Sequence, residues 1–353
     1  MNKSTKRWTR AAFAVVLATV AAGCGDDDED PAAEEPAATE SAELSATEAP
    51  AATEGPADTG EAPAAGEGIT LAVNPWTGSA VNANVAKVVL EGMGTPVELV
   101  DIDEYATWTG MEDGSIDAVL EVWPSGHADD YDTYVTTNKT VVDLGPLGPE
   151  AKIGWYVPTF VVDEHPELAT WEGFKDPELA KLFATAESGD NGQFLMGDPT
   201  YVTFDEQIIA NLGLPLQYVV GGSEAAVLTA LDNAVADQTP VLVQFWKPHW
   251  KHAVLDLTEV KLPDVTDECL ASAAAADGGY ACDYAPDVLY KAASAELETK
   301  NAAAFSFLQK FQLTTEQQNE IANMIDGEQQ MDALAAAQEW VDANPDAVAA
   351  WTA

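Results

Sequence analysis

Four aromatic segments of this 353-residue chain carry side chains that could hold a cation. Trp76 stands in Asn74-Pro75-Trp76-Thr77-Gly78-Ser79 and Trp123 in Glu121-Val122-Trp123-Pro124. Trp155 and Tyr156 stand in Gly154-Trp155-Tyr156-Val157-Pro158, and Trp246 in Phe245-Trp246-Lys247-Pro248-His249-Trp250. A quaternary ammonium group has no hydrogen to donate, so a carboxylate is a blunt partner for it. Several π faces attract its diffuse charge and exclude water, each contact contributing about 0.5 to 2 kcal/mol. Three or four such faces support micromolar binding with help from the rest of the ligand. One tryptophan at a strand end is usually packing, but four sets at equivalent ends point to a common cage.

The elements that must position these residues are short apolar runs alternating with helical periodicity. Residues 69–73, 97–100 and 118–122 read as strands, with helical faces at Val81, Val85, Val88 and Val89 and over 105–111. A second unit repeats the pattern, with strands at 194–196, 216–220 and 241–245 and helices at 204–212 and 225–231. Strand and helix in alternation predict α/β units with parallel sheets, and two such units predict two lobes. Parallel strands present their carboxyl ends to a ligand crevice, which aims the aromatics at the cleft. Residues 254–260 read as one more strand, so the chain is expected to return to the first lobe at about residue 251. The last 65 or so residues read as Ala-rich helices with apolar faces at Phe305, Phe307, Leu308, Phe311, Ile321 and Ile325. Trp108, Trp171, Trp340 and Trp351 read as packing residues.

Gly78 and Ser79 lie where the helix of Val81 begins, and free backbone N–H groups at a helix start favour a carboxylate. His249 is a candidate donor to the same carboxylate, or equally a loop cap beside Pro248. Cys269 and Cys282, 13 apart in an Ala- and Gly-rich stretch, read as a disulfide. The four histidines show no ligand spacing with either cysteine, so neither a metal nor a cofactor is expected. No nucleophile elbow or glycine-rich phosphate loop appears, and the chain reads as a binder rather than an enzyme. Counting alone leaves a paired-carboxylate mechanism open.

The formal charge is −45, from 15 basic and 60 acidic residues. About −35 of it falls on residues 68–353, which makes nucleic acid and anionic membrane poor partners. Residues 1–23 read as a secretion signal: Lys3, Lys6, Arg7 and Arg10 precede an apolar run too short to span a membrane. Val20-Ala21-Ala22-Gly23-Cys24 resembles the lipobox of bacterial lipoproteins, which implies lipidation of Cys24. Residues 24–67 hold 14 acids and no Lys or Arg, with almost no bulky apolar side chain, and read as a disordered tether.

The aromatic segments, together with Val97-Glu98-Leu99-Val100 and the Trp108, Gly110, Gly114, Ile116 and Asp117 that follow, resemble the glycine betaine/choline-binding proteins of ABC importers. The likeness runs over essentially all of 68–353. It implies a two-lobed periplasmic-binding-protein fold of the type II, venus-flytrap kind, with lobe I at 68–157, lobe II at 158–250 and a return to lobe I at 251–353. It also implies an extracytoplasmic monomer, anchored to the outer face of the membrane through Cys24, that hands its ligand to a membrane permease. Carried onto this sequence, Trp76, Trp123 and Trp246 are the cage walls, with Trp155 or Tyr156 as the fourth. Choline binders of the family tend to place an acidic residue shortly after the first cage tryptophan. Thr77-Gly78-Ser79 has none, which favours a carboxylated ligand such as glycine betaine; choline, carnitine, trimethylamine N-oxide or a sulfonium compound is the alternative. A sensor or adhesion lipoprotein with the same fold is the other reading.

Overall fold

The structure, a computed structural model, describes residues 67–273 and 278–353. The expected signal at 1–23, Cys24 and nearly all of the tether lie outside the described residues. Nine strands are present among those described: β1 Ile69–Val73, β2 Val97–Asp101, β3 Ala118–Val122, β4 Val141–Pro158, β5 Gly192–Met196, β6 Leu216–Val220, β7 Val243–Lys247, β8 Leu257–Val260 and β9 Asp287–Ser294. No described helix is long and apolar enough to cross a membrane.

The strands run β2-β1-β3-β9-β4-β7-β5-β6, with β8 also paired to β4. The β1–β2, β1–β3, β5–β6 and β5–β7 pairs are parallel, as the alternation of strand and helix predicts. The centre departs from that expectation, because β9 and the 18-residue β4 are antiparallel insertions. The first part of β4, Val141 to Ala151, pairs with β9, and Lys152 onward pairs with β7. One strand thus belongs to both sheets and carries the chain from the first lobe into the second. Residues Leu257–Val260 pair with Pro158 to Trp155 of β4, so this strand lies in the second sheet rather than at the start of the return. Pairing with the first sheet resumes at β9.

The sequence disguises β4, because Gly145, Pro146, Gly148 and Pro149 imitate turn signals inside it. They fall where the β4–β9 register shifts, the bulge-like positions in which strands tolerate such residues. Gly148 has φ +130°, and a Cβ there would come within 2.1 Å of the Leu313 carbonyl oxygen, so no side chain fits. In β9, the central Lys291 disrupts the apolar pattern. Its Nζ is buried and donates to the Gln309 and Phe311 carbonyls, where the helix Ala302–Lys310 ends.

Helix α1, Thr77–Gly92, buries Val81, Val85, Val89 and Leu90 at helical spacing and packs against Thr315–Asp326 and Ala333–Ala343. Helix α2, Glu104–Asp113, starts at an Asp103 cap that accepts from Ala106 N–H and ends at Gly114, φ +80°. Trp108 is buried in a small core with Met111 and Ile116, as its packing role predicts. Trp340 and Trp351 stack at 6.3 Å and dock the terminal helices. Cys269 and Cys282 are joined, with Cα atoms 6.3 Å apart, in line with the expected disulfide.

Candidate functional site

Trp76 follows β1, Trp123 follows β3 and Trp246 is the penultimate residue of β7, so the strand ends bring all three indoles to one cavity. Its remaining lining comes from Glu104, Ile153, Tyr201, Val202, Thr203 and Gln244. The cavity has a volume of about 40 Å³. The tryptophans are 6–7% exposed, so its indole walls are largely buried.

The fourth aromatic wall is Tyr201, in the loop after β5. Its ring meets Trp76 edge-on at 5.9 Å and Trp246 at 5.7 Å, with interplanar angles of 75° and 89°. Its hydroxyl donates to the Pro75 carbonyl at 3.0 Å, tying the second lobe to the first. The rule that locates the tryptophans also fits Tyr201, which stands five residues past the end of β5.

Trp155 and Tyr156 do not reach the cavity. They sit inside β4, between β7 and β8, where the strand-end rule for parallel strands does not apply. Ile153 is the β4 residue at the cavity. Trp155 shares its face two positions along, roughly 7 Å further on, and is fully buried against Phe194 with its Nε1 donating to Asp205 at 2.7 Å. Tyr156 faces the other way and donates its hydroxyl to Glu259 at 3.1 Å.

Two carboxylates organise the cavity. Glu121, on β3 and 2% exposed, accepts from Trp76 Nε1 at 2.7 Å, Trp123 Nε1 at 3.1 Å, Asn82 Nδ2 at 2.6 Å and Gln318 Nε2 at 2.8 Å. It therefore fixes the rotation of two indole walls. Burial pushes its pKa up to about 7, against the pull of these donors toward the charged form. Gly78 belongs to the same arrangement, since a Cβ there would lie 2.7 Å from Gln318 Nε2 and 2.9 Å from Glu121 Oε2. Glu104 accepts from Val202 N–H across the cleft at 3.1 Å and from His127 Nε2 at 2.7 Å. Burial alone would lower His127, but hydrogen bonds to Asp130 and Glu104 raise it to about 9 and keep an imidazolium beside Glu104.

The expected polar-end residues divide. Gly78 and His249 line a second, smaller chamber behind Trp246, together with Thr77, Glu121, Glu224 and Gln318. Ser79 is in neither lining, and its Oγ accepts from Asn74 N–H at 2.9 Å. His249 Nδ1 accepts from Lys251 N–H at 3.0 Å, which is the loop-cap role. Its Nε2 faces Glu224 Oε1 at 2.8 Å. Glu224, the first residue of the helix Glu224–Asp237, also accepts from Thr77 N–H across the cleft at 2.7 Å.

Comparison with known proteins gives the family of the chain. The family model described as the substrate binding domain of an ABC-type glycine betaine transport system matches residues 67–343. The trimethylamine N-oxide-binding protein of Pelagibacter ubique (strain HTCC1062) is 26% identical over 282 residues, 78% of this chain and 88% of that protein. Lactococcal OpuAC, in its closed-liganded conformation with glycine betaine, aligns at TM-score 0.63 and 19% identity over 81% of this chain and 100% of that one. The glycine betaine/L-proline-binding protein ProX from Borrelia burgdorferi aligns at 0.65 and 20% identity, over 80% and 96%. These structural likenesses carry the two-lobed binding-protein fold. Because the family match takes in both lobes and every wall of the cavity, the chain belongs to the substrate-binding proteins of the ABC-type glycine betaine transport family.

Proposed function

We propose that this protein captures a small methylated ammonium compound of the glycine betaine, choline or trimethylamine N-oxide class between Trp76, Trp123, Tyr201 and Trp246. The observation that carries the proposal is the convergence of four aromatic rings from both lobes on one cavity, with two indoles held by Glu121. Three or four cation–π contacts of about 0.5 to 2 kcal/mol each support capture at micromolar ligand. The bonds from Tyr201 to Pro75, Val202 to Glu104 and Thr77 to Glu224 cross the cleft and form only on closure. Ligand held between the lobes therefore selects the closed state. The lobes join within β4 near Lys152 and again between Val260 and Asp287. The closed protein, acting as a monomer without catalysis, delivers its ligand to an ABC permease. Lipidated Cys24 and the acidic tether hold it at the outer face of the membrane.

The resemblance to the Pelagibacter protein favours trimethylamine N-oxide as a specific second reading alongside glycine betaine. Calorimetric titration with choline, glycine betaine and trimethylamine N-oxide, against ethanolamine, glycine and ammonium as unmethylated controls, tests the class. Micromolar binding confined to the methylated compounds is expected. Equal binding of the controls would sink the proposal.

A further inference from the structure

We infer that Glu224 makes this site select against ligands that carry a carboxylate, and so for methylated ammonium compounds ending in a hydroxyl or an N-oxide. The inference rests on the cage reading and narrows it. The residue before α1, Trp76, is extended and offers no side-chain cap, so the first N–H of the helix needs a partner from elsewhere. Glu224 Oε2 accepts from Thr77 N–H at 2.7 Å, while the Thr77 hydroxyl lies between Glu224 Oε2 and Asp326 Oδ2 and is closer to Asp326. Its Oε1 stands 2.8 Å from His249 Nε2. Because His249 Nδ1 accepts from Lys251 N–H, the imidazole proton is on Nε2 and is donated to Glu224. The first N–H of the helix and the histidine, two donors that a ligand carboxylate could use, are thus bonded to a side-chain carboxylate of the protein itself.

Glu224 is 6% exposed and shares its chamber with Trp246, which is also a cage wall. The charge balance around the ligand runs the same way. Among the described residues lining the cage and this chamber there is no lysine or arginine, while Glu121 and Glu224 are present and Glu104 is paired with His127. Lys251, beside His249, is paired with Asp232 at 2.7 Å. A zwitterion's carboxylate entering here would meet the like charge of Glu224, with Thr77 N–H and His249 Nε2 already bonded to it, the arrangement by which sites reject a competitor. A hydroxyl or N-oxide fares differently. Gln244, 2% exposed at the cage wall, has a buried Oε1 with no hydrogen-bond partner. Its amide can accept from a hydroxyl or, turned over, donate to an N-oxide oxygen.

The test is calorimetric titration of choline, trimethylamine N-oxide and glycine betaine into the full chain, its Glu224→Gln variant and its Glu224→Ala variant, with thermal melts to establish folding. The wild type is expected to bind the tighter of choline and trimethylamine N-oxide at least about tenfold more strongly than glycine betaine. Removing the charge is expected to shrink that ratio about tenfold in Glu224→Ala and several-fold in Glu224→Gln. The ratio is the readout because loss of the Thr77 bond across the cleft weakens every ligand alike. If one variant fails to fold, the ratio in the other decides. Wild-type protein that holds glycine betaine as tightly as the others would overturn the inference while leaving the cage intact. A ratio unchanged in the folded variants would also overturn it. Binding of none of the three would refute the cage reading instead, and this inference with it.

Discussion

Replacing Tyr201 separates the cage built here from one built on β4. Its hydroxyl makes one hydrogen bond, to the Pro75 carbonyl across the cleft, and its ring closes the wall between Trp76 and Trp246. Tyr201→Phe keeps the ring and loses the bond, a net of about 0.5 to 1.5 kcal/mol, or roughly 2- to 12-fold in affinity. The bond spans the cleft and would be broken by parting of the lobes, so the loss is expected in the dissociation rate. Tyr201→Ala removes the π face as well, adding about 0.5 to 2 kcal/mol. The combined loss is about 1 to 3.5 kcal/mol, or from 5-fold to a few hundred-fold. Trp155→Phe and Tyr156→Phe are the controls. They break the bonds to Asp205 and Glu259, lowering the melting temperature while affinity stays within about twofold. Calorimetry gives the affinities and stopped-flow tryptophan fluorescence the dissociation rates. Tyr201 variants that bind like wild type, with binding lost in Trp155→Phe or Tyr156→Phe, would refute the reasoning and move the fourth wall to β4.

Alanine at Trp76, Trp123 or Trp246 should weaken binding by about 1 to 3 kcal/mol each while shifting the apo melting temperature little; three variants that bind normally would show the cage to be misassigned. Glu121, poised at about 7 by burial, should lose a proton when a cation enters beside the indoles it holds. Affinity for choline should therefore rise between pH 5.5 and about 7.5, with proton uptake by the buffer that vanishes in Glu121→Gln. Titrations in buffers of different ionisation enthalpy that show no proton transfer would exclude this linkage. His127 has a folded pKa of about 9, above its ordinary 6.5, so its contribution is complete below about pH 6.5 and is lost as pH rises through about 9. That difference is worth on the order of 3 kcal/mol. The melting temperature should fall between pH 7 and 10, and less so in His127→Gln; an equal fall in both would remove His127 as the cause.

The parallel units and the meeting of Trp76, Trp123 and Trp246 at one cavity were legible because both depend on local signals. Apolar runs of four or five residues ended by Asn74-Pro75-Trp76 or by Trp123-Pro124 announce strand ends, and the parallel rule then fixes where the aromatics converge. β4 and β9 were not legible, since Gly145, Pro146 and Gly148 look like breaks until their bulged pairing is seen, and Lys291 is stabilised by carbonyls that lie in contact only after folding. Trp155 misled for the same reason. Its neighbours are those of a strand end, yet β4 continues to Pro158 and runs antiparallel to β7. Glu121 and Glu224 are ordinary acids in the sequence, two among 60. What distinguishes them is a set of donors contributed from distant parts of the chain, such as Gln318 for Glu121 and Thr77 for Glu224. No periodicity or spacing records such contacts.

A crystal structure of the complex with choline or trimethylamine N-oxide tests the central claim most directly. The account expects the methylated nitrogen within about 6 Å of the ring centroids of Trp76, Trp123, Tyr201 and Trp246, the cation–π range. It expects the polar end toward Gln244 and the bonds from Glu224 to Thr77 and His249 retained. A ligand bound outside these four rings, or one whose ammonium group is held chiefly by Glu104, would contradict it.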